Sequence, residues 1–303
     1  MNDMQQYLVD EFVEEYRLGR MTRREVLRRV TLLTGSAVAA GTLVNAVTPL
    51  RAAAEPSPGP LLQWTPQVSP FDPSVRAGEV IVPGDGVPLS GYIARPADGA
   101  THPGVLVIHE NRGLSAHYED VTRRLAKAGY AALVVDLLSR VGGVGAFADD
   151  AEAAAAQAQI APEQHVRDLN AAASYLGSQP YVNGDRVGVM GFCFGGGMTW
   201  RVAMSNPSLR AGVPYYGPIP PMDDLSNLQA AMLAIYGGED ANVNSRIPDM
   251  EAAMQAAGKT FEVVIEPDAP HAFFNESAGS YTPAAAADAW GRTLDWFGRY
   301  LSS

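Results

Sequence analysis

Between residues 79 and 267 the chain alternates short apolar runs with longer stretches in which apolar residues recur every third or fourth position. The runs are GVLVIHE (104–110), AALVVDL (131–137), RVGVMGF (186–192), AGVPYYG (211–217), AMLAIYGG (231–238) and TFEVVIEP (260–267). Several are continuously apolar, the pattern of strands buried on both faces of a sheet. Ahead of them, EVIVPGDGVPLSGYIARP (79–96) alternates around a GDG turn and predicts a β-hairpin. Helical spacing falls over 115–128, 163–178, 196–206, 246–257 and 283–301. A hairpin followed by alternating strand and helix predicts an α/β fold, its mostly parallel sheet flanked by helices on both faces. AEAAAAQA (151–158) adds an Ala-rich helix, and no internal repeat is visible.

The first 54 residues break this pattern. MNDMQQYLVDEFVEEYRLGR sets Leu8, Phe12, Val13 and Tyr16 at helical spacing, and TRREVLR (22–28) then precedes VTLLTGSAVAAGTLVNAVTPL and RAAAEP. The pair Arg23 and Arg24, a weakly apolar stretch and small residues ending near Ala54 resemble a twin-arginine export leader with an extended n-region. On that reading the chain engages the twin-arginine export machinery, is exported folded to the periplasm or cell envelope, and begins near Glu55 when mature. Two alternatives stand beside it. One is a helical arm docked on the body of a cytoplasmic protein; the other is an uncleaved leader, whose roughly 20 uncharged residues would anchor it in a membrane. Residues 55–77, rich in Pro and Ser, predict an extended linker, and 78–303 the compact domain.

Composition narrows the partners. A chain of 303 residues that is 47% hydrophobic supports one sizeable core. Seven of the 22 basic and six of the 33 acidic residues fall within 1–54, so the remainder carries a net charge of about −12. That charge opposes nucleic acid and anionic membrane as partners. A single cysteine excludes an internal disulfide and any multi-cysteine metal site.

That cysteine lies in GFCFGGGM (191–198), where the strand RVGVMGF meets the helix GGGMTWRVAMS. Gly191 and Gly195 flank Cys193 two residues to either side, as a sharp strand-to-helix turn carrying a nucleophile requires. A phosphate cradle is the competing reading of a Gly-rich turn, but neither GxGxxG nor GxxxxGK[ST] occurs here. A thiol nucleophile needs a base and a carboxylate to orient it, in the chain order nucleophile, acid, histidine. Of the five histidines, only His271, in EPDAPHAFFN, follows Cys193; His102, His109, His117 and His165 precede it. Asp240 in GGED closes a strand at its carboxyl end, with Glu239 and Asp268 as competing acids.

HENRGL, DLLSR, GFCFGG, GGED and PHAF together resemble the dienelactone hydrolases, a branch of the α/β-hydrolase fold using Cys, Asp and His, over most of residues 79–301. The resemblance implies Cys193 as nucleophile, Asp240 as orienting acid and His271 as base. It also implies that Glu110 contacts the resting thiol and controls its ionisation, and that the backbone N–H groups of Phe194 and Asn111 form an oxyanion hole. The implied reaction is hydrolysis of a small-molecule ester or lactone through a thioester at Cys193, with no metal or cofactor. Arg140 in DLLSR is a candidate substrate contact or a structural ion-pair partner. The chain departs from the resemblance at two arginines that would hold a substrate carboxylate: Asn275 stands four residues after His271, and DDAEAAAAQAQ offers no cation. A neutral substrate rather than dienelactone itself is therefore expected. A redox thiol and a non-catalytic ligand-binding protein of the same fold are the competing functions; the first lacks a resolving cysteine, and the second has no need of acid and base in order.

Overall fold

The computed structural model describes residues 1–47 and 64–301. The predicted cleavage site near Ala54 and linker residues 55–63 lie outside the described residues. Strands β1 (Val75–Pro83), β2 (Pro88–Pro96), β3 (His102–Ile108), β4 (Ala131–Val135), β5 (Val182–Phe192), β6 (Ala211–Tyr215), β7 (Ala231–Gly237) and β8 (Phe261–Glu266) form one sheet. Its order is β1-β2-β4-β3-β5-β6-β7-β8. The hairpin β1–β2 and the β2–β4 pair are antiparallel, and every other pair is parallel.

Burial follows strand position. β4, β6 and β7 are buried along their whole length, whereas the edge strand β8 alternates, with Ile265 exposed. This is why the central runs read as uninterrupted apolar residues while TFEVVIEP mixes in glutamates. Val105 to Ile108 are wholly buried, and each such side chain contributes about 1.5–3 kcal/mol relative to exposure.

The helices are α1 (Asp3–Arg17), α2 (Arg23–Thr34), α3 (Ala37–Asn45), α4 (Ala116–Lys127), α5 (Asp150–Gln159), α6 (Pro162–Gly177), α7 (Phe194–Ser205), α8 (Ala241–Asn244), α9 (Ile247–Ala256) and α10 (Pro283–Leu301). Pro162 opens α6, where its missing N–H has no intrahelical partner to lose. The helix after Cys193 begins at Phe194, two residues before its apolar spacing starts, because the turn leads straight into it. The sheet begins at Val75, ahead of the predicted domain boundary at residue 78. The segment before it is pinned by the buried Asp120, which accepts the backbone N–H groups of Gln67 and Val68.

Helices α1 to α3 lie on the domain. Asn2 caps α1, its side chain accepting from Gln5 N while Gln5 returns a bond to the Asn2 N–H. Met4, Tyr7, Leu8, Phe12 and Tyr16 make one buried face of α1, and Val26, Val30 and Leu33 continue it on α2. Ion pairs from Arg201 to Asp3, Arg20 to Glu239 and Arg28 to Asp149 rim the contact. Arg23 and Arg24 stay exposed. Among the described residues no helix is long and apolar enough to cross a membrane.

Candidate active site

Three strand ends on the carboxyl side of the sheet bring the site together. At the end of β5, Cys193 has φ 52° and ψ −117°, a left-handed conformation rare for a residue with a side chain. The turn is tight enough that a Cβ on Gly191 would overlap the carbonyl oxygen of Gly195, and one on Gly195 would overlap those of Ile108 and His109. Only glycine fits at either position. The Cys193 N–H is held by the Tyr215 carbonyl at 3.0 Å, which aims the thiol up off the sheet.

Asp240 follows β7 and caps α8, one carboxylate oxygen accepting from the Val243 N–H at 3.4 Å. Its other oxygen, Oδ2, lies 2.6 Å from His271 Nδ1. His271 sits in the loop after β8, which is bent by left-handed residues Asp268 (φ 56°) and Ala272 (φ 58°). The structure thus brings Cys193, Asp240 and His271 into one cluster. The competing acids stand apart: Glu239 pairs with Arg20 at 3.0 Å, and Asp268 is exposed.

The other histidines are held elsewhere. His109 donates from Nδ1 to the Glu110 carbonyl and accepts the Leu137 N–H at Nε2, while His165 donates to the Gln157 carbonyl and His102 pairs with Asp98. His117 is buried among Trp64, Tyr118 and Phe274, and burial, with Arg124 beside it, pushes it down to about 3. The Phe194 and Asn111 N–H groups have no intramolecular partner among the described residues.

Glu110 and Arg140 have partners that sequence did not anticipate. Glu110 is 4% exposed; Asn275 Nδ2 donates to its Oε2 at 2.9 Å and the Tyr216 hydroxyl to its Oε1 at 3.4 Å. It acts on the thiol through its charge, not through a hydrogen bond. Arg140 Nε and Nη2 donate to both oxygens of the buried Asp168, at 2.5 and 2.8 Å, and Nη2 also reaches the Asp85 carbonyl. Its fork is closed by the body of the protein.

Besides His271, the hydrogen-bond partners of the thiol come from α1. The Tyr7 hydroxyl lies 3.5 Å from Cys193 Sγ and 3.4 Å from His271 Nε2, and Glu11 Oε2 lies 3.8 Å from Sγ. Helical spacing in MNDMQQYLVDEF predicts a buried face but not its counterpart, so neither residue was legible as part of the site. Burial first, then the Glu11 carboxylate, pushes the Cys193 thiol up to about 11. Burial works against charge on His271, but Asp240 and then Cys193 outweigh it and hold the imidazole well above its ordinary value. Burial also raises Glu11. Glu11, Cys193 and His271 each place one ligand atom within 4.8 Å of the others, so a thiophilic cation held there would occupy both thiol and imidazole.

A profile of the dienelactone hydrolase family matches residues 89–301. The chain is 38% identical over 237 residues to a protein of Methylorubrum extorquens named "Putative carboxymethylenebutenolidase", covering 74% of this chain and 81% of that one. A crystal structure from Klebsiella pneumoniae described as "Putative Dienelactone Hydrolase" superposes with a TM-score of 0.70 at 33% identity, covering 75% of this chain and 99% of that chain. The dienelactone hydrolase of Anabaena variabilis gives a TM-score of 0.58 at 26% identity, over the same shares of the two chains. The fold is thus that of the α/β-hydrolases. The chain belongs to the dienelactone hydrolase family, and it is a hydrolase of esters or lactones.

Proposed function

We propose that the protein cleaves a neutral small-molecule ester or lactone through a thioester on Cys193. The observation that carries this reading is the 2.6 Å bond between His271 Nδ1 and Asp240, on a ring that lies within reach of a thiol borne on a strained turn. Asp240 fixes the tautomer, leaving Nε2 to take the thiol proton. The thiolate attacks the carbonyl carbon, and the developing oxyanion is met by the Phe194 and Asn111 N–H groups. Collapse breaks the carbon–oxygen bond, His271 returns its proton to the departing alkoxide, and the acyl group is left on sulfur. His271 then takes a proton from water, which attacks the thioester and releases the acid and the thiol. Replacement Cys193→Ala abolishes turnover of a chromogenic short-chain ester on this reading. Turnover that survives the replacement places the nucleophile elsewhere.

We also propose residues 1–54 as an export leader. Its support is the arginine pair at Arg23 and Arg24, both exposed on the docked arm. Changing both to Lys retains the full-length chain in the cytoplasm if the reading is right; arrival in the envelope overturns it.

A further inference from the structure

We propose that α1 is an intramolecular plug, which places Tyr7 and Glu11 on the reaction centre and holds the hydrolase inactive until α1 leaves. The proposal rests on the reading of Cys193 as the nucleophile. The first observation is occupancy. The Tyr7 hydroxyl bridges Cys193 Sγ and His271 Nε2, the two atoms between which a substrate carbonyl and its leaving oxygen must come. Glu11 takes the remaining side of the thiol.

The second observation is space. Cys193 is 3% exposed. The cavity lined by His271, Asp240, Tyr7 and Glu11 is about 20 Å³, room for about one water and not for an ester. A larger cavity of about 320 Å³ opens beside α1 between Arg201, Pro218 and Arg246, but Tyr7 stands on its wall and neither Cys193 nor His271 lines it. An ester cannot reach the thiol while α1 is in place.

The third observation is that the contact is built along the whole segment. The apolar face of α1 is buried, Asp3 and Arg20 pair with Arg201 and Glu239 on the domain, and the Asn2 side chain donates to the Ala158 carbonyl. On the α2 side, Arg28 pairs with Asp149 and the Gln159 side chain donates to the Leu33 carbonyl. Segments on either side of the site hold the arm down. Undocking removes a carboxylate and a hydroxyl from the thiol and opens the cleft in one motion. On the export reading, cleavage near Ala54 removes this segment with the leader, so that the protein is released and unmasked together.

The chain has one cysteine, so alkylation reports the plug without reference to catalysis. The full chain is compared with the full-chain variant Leu8→Glu/Phe12→Glu, which puts charge in the buried face of α1, by iodoacetamide labelling of Cys193 and by chromogenic ester turnover. Labelling at least about tenfold faster in the variant is expected, because in the wild type it waits on local opening. A second full-chain variant, Tyr7→Ala/Glu11→Ala, removes the two plugging side chains and serves if the charged variant loses its thermal unfolding transition. Faster labelling with faster turnover supports both readings. Faster labelling with no turnover supports the plug and sinks the hydrolysis at Cys193. Equal labelling in the wild type and the folded variants overturns the plug, and wild-type turnover then still tests the hydrolase.

Discussion

Asn275 Nδ2 donates to Glu110 Oε2 at 2.9 Å, at the position where resemblance to the dienelactone-cleaving enzymes calls for an arginine that holds the substrate's carboxylate. Here the residue grips the protein's own carboxylate and brings no charge to the cleft. With Arg140 closed onto Asp168, Arg112 is an arginine among the described residues whose field reaches the thiol, and it also pairs with Asp150 at 3.2 Å.

The substrate preference follows from this. Losing one charge-assisted carboxylate contact costs about 1.5–3 kcal/mol, roughly tenfold to a hundredfold in affinity. An uncharged lactone is expected to exceed a carboxylate-bearing lactone of equal size in kcat/KM. A clear preference for the anion contradicts the neutral-substrate reading; its disappearance in Arg112→Ala would assign the clamp to that residue.

The turn that carries Cys193 makes a separate prediction about folding. Gly195→Ala drives a Cβ into the Ile108 and His109 carbonyl oxygens, both backbone atoms of β3 and its end, which have no side-chain freedom with which to yield. Overpacking of this kind costs about 1–3 kcal/mol or more. A urea midpoint shifted down accordingly is expected, together with lost activity. An unchanged midpoint would mean that β3 and β5 are not in this register.

Much of this was legible in the sequence because its causes are local. Parallel strands buried on both faces must be apolar throughout, and Gly191 answers a contact with Gly195 four residues on, although Gly195 itself clears Ile108 and His109 at the end of a neighbouring strand. The order of Cys193, Asp240 and His271 follows the order of strand ends. What escaped was long-range. Amphipathic spacing marks Leu8, Phe12 and Tyr16 for burial but cannot say that their counterpart is a cleft more than 180 residues away in the chain. The same limit hid the pairing of Arg140 with Asp168 and that of Glu110 with Asn275, since a charged residue in a loop does not announce its partner.

The acidity of the thiol carries a pH prediction. Burial and Glu11 raise Cys193 to about 11 against the pull of His271, with Tyr7, Glu110, Arg112, Tyr118, Tyr216 and Asp240 among the other titratable groups facing the pair. Only the thiolate is alkylated, so the labelling rate of the wild type keeps rising through pH 9 to 10, roughly the upper end of the accessible range. Glu11→Gln removes a charge that disfavours the thiolate, and its profile moves to lower pH. A shift to higher pH, or no shift, contradicts the assigned contact between Glu11 and the thiol.

The most direct test of the account is capture of the acyl-enzyme. The wild type and Tyr7→Ala/Glu11→Ala are mixed with a short-chain chromogenic ester, quenched in acid within a turnover, and digested for mass spectrometry. The account predicts one acyl group on the peptide containing Cys193 in Tyr7→Ala/Glu11→Ala, at least about tenfold less of it in the plugged wild type, removable by hydroxylamine and missing when Cys193→Ala is added. Ester turnover with the acyl group on another residue, or undiminished in Cys193→Ala, would contradict it.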